Sequence, residues 1–182
     1  PPLSVGAYSA AGAVAAGGAG RGPAFTGHDP FLPLVIAAQR TRTLELGTGI
    51  AVAFARSPVA VAATAWDLAR VSRGRFMLGL GTQVRAHVER RFGMPWSGRP
   101  VAQLREYVAV VRAAWDAWQH GSSPAHRGQF YRFTLMTPFF NPGPIEQPDI
   151  PIYLAGVGPG MARLAGEVAD GINTQAALPD LE

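Results

Sequence analysis

The sequence contains no cysteine and no lysine. The first absence excludes a disulfide framework, a thiolate nucleophile and a thiolate metal site. The second excludes Schiff-base chemistry and a P-loop lysine, and makes all 16 basic residues arginine. Long apolar runs are missing as well. No stretch reaches the ~18–20 residues that a membrane-spanning helix needs, and the greasiest, Leu44 to Trp66, is interrupted by Glu45, Arg56 and Pro58. The start has neither the basic opening nor the leucine-type centre of a signal peptide, so cytoplasm is the default expectation.

What remains is 182 residues, 48% hydrophobic and 15% charged, enough for one domain with a core and too apolar for global disorder. The net charge of +4 invites a nucleic-acid reading. The arginines are scattered singly or in pairs, however, where a phosphate-tracking surface would gather them on one element. Neither nucleic acid nor membrane is expected as a partner. The four histidines, His28, His87, His120 and His126, show no metal-ligand spacing, and no G-x-S-x-G elbow is present. No metal site is expected. His120 and His126 are read as solvent histidines in an exposed loop.

Residues 1–27 are almost wholly small residues without a 2.0 or 3.6 period, and read as a low-complexity lead-in of non-native appearance. From residue 28 the text becomes punctuated. Asp29-Pro30 and Ser57-Pro58 each pair an N-cap with a proline suited to a first helical turn. They predict helices to about Arg40 and to Gly74. Thr43 to Phe54 is β-rich but broken by glycine. Arg75 to Gly81 is the continuous apolar run of a strand buried on both faces. A short helix fits Val84 to Phe92. Pro100 opens a long amphipathic helix through Leu104, Val108, Val111, Trp115 and Trp118, closed by Gly121. A strand candidate lies at 129–136. Then follow strand Ile152–Ala155, helix Pro159–Ala169 and a strand beginning at Gly171.

This alternation predicts an α/β domain with parallel strands, either a doubly wound sheet or part of a (β/α)8 barrel. In both, the loops after the strands' carboxyl ends form the site. Three of these are glycine-rich: residues 46–50, 79–83 and 155–160. None completes G-x-G-x-x-G, because Val84 and Met161 stand where the last glycine would be, so a nicotinamide Rossmann fold is disfavoured. In the third loop, Gly158 precedes Pro159 at a helix start. Gly160 and Met161 would offer free N–H groups to an anion there; an ordinary tight turn would use the glycines equally well. Gly49-Ile50 sits inside a strand, where glycine marks a bulge, a ligand's close approach or a simple kink.

The strings His28-Asp29-Pro30-Phe31, TLELGTGIAVAFARSP, RGRFMLGLGTQVRAHVERRFGMPW, GQFYRFTLMTPFFNPGP and IPIYLAGVGPGMARLAGEVADG resemble the bacterial luciferase-like monooxygenase superfamily. More narrowly, they resemble its coenzyme F420-dependent oxidoreductases. The resemblance implies a luciferase-like (β/α)8 TIM barrel over residues 28–182, here partial and incomplete at both ends. It implies a strand bulge with a non-proline cis peptide at Gly49-Ile50 backing the cofactor ring. Gly81, Thr82 and Gln83 would meet the ring edge, and Gly158, Pro159 and Gly160 the cofactor phosphate. It places His28 on the substrate side as the candidate proton donor, with His87 second. The implied activity is hydride transfer between F420 and a small organic substrate. FMN-dependent monooxygenation is the alternative, and a non-catalytic truncated remnant a third reading. An open barrel would also favour association into homo-oligomers.

Overall fold

Parallel strands that follow one another in chain order from Ser4–Tyr8 onward, with four helices packed in sequence, define the architecture. The computed structural model describes residues 29–173 and, as backbone, two short strands before them. The strands are β1 (Ser4–Tyr8), β2 (Gly12–Ala13), β3 (Glu45–Thr48), β4 (Ala51–Val52), β5 (Phe76–Gly81), β6 (His126–Arg127), β7 (Arg132–Phe133), β8 (Ile152–Ala155) and β9 (Gly171–Asn173). The helices are α1 (Leu32–Arg40), α2 (Pro58–Ser72), α3 (Arg85–Arg90), α4 (Pro100–His120) and α5 (Pro159–Val168). The main sheet runs β2-β1-β3-β5-β8-β9, with β4 continuing the path of β3 along β5. All its pairings are parallel except β1 with β2.

The order decides between the two candidate architectures. A doubly wound sheet reverses its strand order and carries helices on both faces. Here the parallel strands β1, β3, β5, β8 and β9 follow one another without reversal, and α1 packs on α2, α2 on α4 and α4 on α5 in one continuous layer. That is the winding of a (β/α)8 barrel.

Local chemistry explains the elements. Ser57 Oγ accepts the Ala60 N–H at 3.4 Å and Pro58 opens α2, as the cap-then-proline spacing predicts. Arg73 in the left-handed region (φ 58°) and Gly74 (φ 79°) close it. Asp29 works slightly differently. Its Oδ1 accepts the N–H of Phe31 at 2.9 Å and of Leu32 at 3.3 Å, so the chain makes a turn first and α1 begins only at Leu32. The α4 stripe Leu104, Val108, Val111, Trp115 and Trp118 is buried throughout. It packs on α2, where Trp66 lies 5.8 Å from Trp118 and the Trp115 indole N–H donates to Ala62 O at 3.0 Å.

Two expectations are corrected. The lead-in over residues 1–27 contains a strand: Ser4–Tyr8 pairs in parallel with β3, from Ser4 against Glu45 to Ala7 against Thr48. A strand beside an existing edge takes its ladder from that neighbour and needs no periodicity of its own. The strand anticipated over 129–136 shrinks to Arg132–Phe133, paired with His126–Arg127. The N–H groups of Gln129, Phe130 and Tyr131 turn to the Glu106 carboxylate of α4 and are lost to any ladder.

Candidate cofactor site

The parallel strands bring the three glycine-rich loops to one end of the sheet. The middle of that end is a register defect. Leu46 pairs with Phe76 and Gly47 with Met77, but Ala51 pairs with Leu80 and Val52 with Gly81. Thr48, Gly49 and Ile50 therefore face only Leu78 and Gly79, which is a one-residue bulge. The Gly49–Ile50 peptide bond is cis. Both residues are partly exposed, while Thr48 and Ala51 on either side are buried.

Glycine on β5 is dictated by this bulge. A methyl at residue 81 would come 2.6 Å from Ile50 Cδ1 and 3.6 Å from Ala155 Cβ. Gly81 thus joins the bulge to the end of β8. A methyl at residue 79 would come 1.8 Å from the Thr48 carbonyl oxygen. Gln83 follows with φ 62°, a left-handed conformation uncommon outside glycine, and its side chain accepts the Val84 N–H at 3.1 Å. Thr82 and Gln83 are both partly exposed beside it.

The third loop turns from β8 into α5. A Cβ at Gly158 would meet nothing within 4 Å, and one at Gly160 only Val101 Cγ2 at 3.6 Å. The protein's own packing requires neither glycine, so the absent side chains leave a bare backbone cradle at a helix start. One part of the sequence reading is corrected here. The Met161 N–H is not free: it donates to Gly158 O at 3.1 Å, as does Ala162 N–H at 3.0 Å. The first turn of a helix often includes such tighter, 3-10-type bonds. Among the described residues, the N–H groups of Val157, Gly158 and Gly160 have no protein acceptor, and Pro159 has none to give. That donor set, at the positive end of α5, suits an anionic group.

Polar residues at the same end are already paired. Asp29 forms an ion pair with Arg56, whose guanidinium lies 5.3 Å from the Phe31 ring centre. Partial burial pushes the Asp29 carboxyl up, but the Phe31 N–H, Arg56 and the Leu32 N–H outweigh it and hold it below the usual range. Asp29 is therefore a carboxylate, not a proton donor. His28 lies outside the described residues. His87 is exposed on α3 with no described hydrogen bond across the bulge. His126, read as a solvent histidine, is instead half-buried with Nε2 3.3 Å from Glu106 Oε1. No group of three or more His, Asp and Glu able to hold a metal occurs among the described residues. A cavity of about 580 Å³, lined by Trp115, Asp116, His120 and Asp170, lies at the opposite end of the strands. It shares no residue with the three loops.

Sequence reasoning missed two features. Thr48 Oγ1 is bonded to both backbone groups of Gly79, and Asp29 is tied to Arg56. Only the proximity of these residues to the quoted motifs hinted at either.

Comparison with known proteins gives the family. The luciferase-like monooxygenase family profile matches residues 4–182. The chain belongs to that family. It is 54% identical over 144 residues to an uncharacterized protein of Mycobacterium tuberculosis, a match covering 79% of this chain and 42% of that protein. It is 36% identical over 154 residues to a second M. tuberculosis protein, named as a candidate coenzyme F420-dependent oxidoreductase, covering 80% and 43%. Among solved structures, an F420-dependent secondary alcohol dehydrogenase in complex with an F420-acetone adduct superposes with a TM-score of 0.69 at 22% identity, covering 81% of this chain and 44% of that one. The fold is that of the luciferase-like TIM barrels, of which this chain carries a part. It spans less than half the length of the relatives it matches. No helix among the described residues is long and apolar enough to cross a membrane.

Proposed function

We propose that this chain carries the cofactor-binding part of an F420-dependent oxidoreductase acting on a small organic substrate. The observation that supports it is the one-residue bulge Thr48–Ile50 set against Gly81 and the end of β8. It leaves Gly49 and Ile50 partly exposed at the strand end, with the Ile50 side chain laid over Gly81, backbone suited to supporting a flat ring. The bare cradle Gly158–Pro159–Gly160 on the same end suits the anionic tail of the same molecule.

When bound, F420 supplies a hydride at C5 of its deazaflavin. The protein's task is to hold, orient and exclude water. In this reading Gly49 and Ile50 back the ring, and Gly81, Thr82 and Gln83 border its edge. The unpaired N–H groups of Gly158 and Gly160 hold the phosphate. His28 is the proton donor this reading retains. Asp29, the next residue in the chain, is held as a carboxylate by Arg56.

A second reading, FMN-dependent monooxygenation, is favoured by the description of the family itself. Titrating the purified chain into F420 and into FMN, followed by cofactor fluorescence, tests both. Tighter binding of F420 is expected. Preference for FMN would favour the monooxygenase, and binding of neither would leave a chain without a cofactor.

A further inference from the structure

A bulge in a parallel sheet is a place where register can slip, and this one interrupts the ladder between β3 and β5. The regular pairing ends at Gly47 with Met77 and resumes one residue out of phase at Ala51 with Leu80. In the gap, the Gly79 peptide groups lie in the buried interior with no ladder partner across from them. Thr48 supplies both. Its Oγ1 accepts the Gly79 N–H at 2.9 Å and donates to the Gly79 carbonyl at 2.7 Å. Thr48 is one of two buried polar residues among those described, at 3% exposure. The contact exists because residue 79 has no Cβ, whose place lies 1.8 Å from the Thr48 carbonyl oxygen.

Building on the cofactor reading above, we propose that Thr48 is a positioning residue. Its hydroxyl clamps the bulge to β5 and so fixes the Gly49–Ile50 surface against which the cofactor ring is held. Apart from the packing of Ile50 on Gly81, no other side-chain contact among the described residues ties the bulge to β5, and Thr48 makes the side-chain hydrogen bonds that cross the gap. A valine at this position fills the same volume but leaves the Gly79 N–H and C=O unpaired in the core. The bulge is then free to shift, and a preformed support becomes one the cofactor must organise at its own cost.

The test compares Thr48→Val, Thr48→Ser and the unaltered chain by F420 fluorescence titration and by amide hydrogen exchange. Thr48→Val is expected to weaken F420 binding about tenfold or more, and to speed exchange at Gly79 and over residues 49–52 while α4 keeps its protection. Thr48→Ser is expected to restore both. Should valine prevent folding, Thr48→Ala removes the same hydroxyl with less crowding. Trp115→Phe, which loses the indole bond to Ala62 O, reports what destabilisation alone does to affinity. Unchanged affinity in Thr48→Val, or an equal loss in Trp115→Phe, would overturn the proposal. An unaltered chain that binds no F420 would instead remove the cofactor reading, and the ring-positioning role with it. The exchange data would then still show whether the hydroxyl clamps the bulge.

Discussion

The Glu106 carboxylate of α4 accepts the backbone N–H of Tyr131 at 2.6 Å. The same carboxylate takes the N–H groups of Gln129 and Phe130, each at 3.0 Å, and faces His126 Nε2 at 3.3 Å. One side chain thereby closes the β6–β7 turn and ties it to the helix. Burial alone pushes the Glu106 carboxyl up. The N–H groups of Phe130 and Tyr131, with the His126 ring, outweigh it and hold the carboxyl below its usual range. A depressed folded-state value means that the stabilisation is present above the unfolded value of about 4.3 and is lost as pH falls through the folded one. Thermal melts between about pH 6 and pH 3 should show a steep loss of stability at the acid end. Glu106→Gln, which keeps one acceptor and removes the charge, should cost about 1–3 kcal/mol at neutral pH and flatten that acid limb. An unchanged pH profile in Glu106→Gln would show that other carboxylates carry it. Gly128→Ala should displace the same carboxylate from these N–H groups, because its methyl would lie 1.7 Å from Glu106 Oε1, and should cost a similar amount.

Arg75, the residue before β5, gathers the ends of three elements. Its Nε donates to Ser72 O at 2.8 Å, at the end of α2, and its terminal nitrogens to Ala38 O and Thr41 O, each at 3.0 Å, at the end of α1. A further bond reaches Leu44 O ahead of β3. These carbonyls have no helical partners of their own. A planar fork of five donors satisfies them together, and a lysine ammonium does not. Arg75→Lys should therefore lose about 2 kcal/mol, a fall in Tm of about 4–8 °C. Full recovery by lysine would mean that charge, not donor geometry, is what this position supplies.

Much of the fold was legible because its signals are local. Ser57-Pro58, the buried run Phe76 to Gly81 and the spacing of Leu104, Val108, Val111, Trp115 and Trp118 each need only neighbouring residues to be read. The bonds that shape the site span longer distances in the chain. Thr48 meets Gly79 across 31 positions, and Glu106 meets Tyr131 across 25. A residue's type suggests that it will take a partner but not which one, so the clamp behind Gly49–Ile50 and the true length of the β7 strand were hidden. The family resemblance located Gly49-Ile50 and Gly158 to Gly160 without explaining why glycine is needed. The structure separates the cases: Gly79 and Gly81 make room for the protein itself, whereas no other part of the protein lies within 4 Å of a Cβ at Gly158. It also shows that the Met161 N–H is spent on Gly158 O, a detail of helix-start geometry that residue types do not encode.

That separation gives the proposed anion site at the start of α5 a test in which stability and binding move in opposite directions. Gly158 is the N-cap of α5, with φ −103° and ψ 157°, a conformation open to any residue. Aspartate there should fold without strain, because a Cβ meets nothing within 4 Å. Its carboxylate would cap the helix start a few tenths of a kcal/mol better than glycine does. The same negative charge would stand where an anionic cofactor tail is to be held. Gly158→Asp should therefore leave Tm unchanged or raise it by about 1 °C, while F420 affinity falls about tenfold or more through like-charge repulsion. Gly158→Asn caps comparably without the charge and should lose much less affinity. Calorimetry and fluorescence titration on the three chains separate the effects. If the aspartate variant binds F420 as tightly as the glycine chain, the anionic tail lies elsewhere on the barrel's rim.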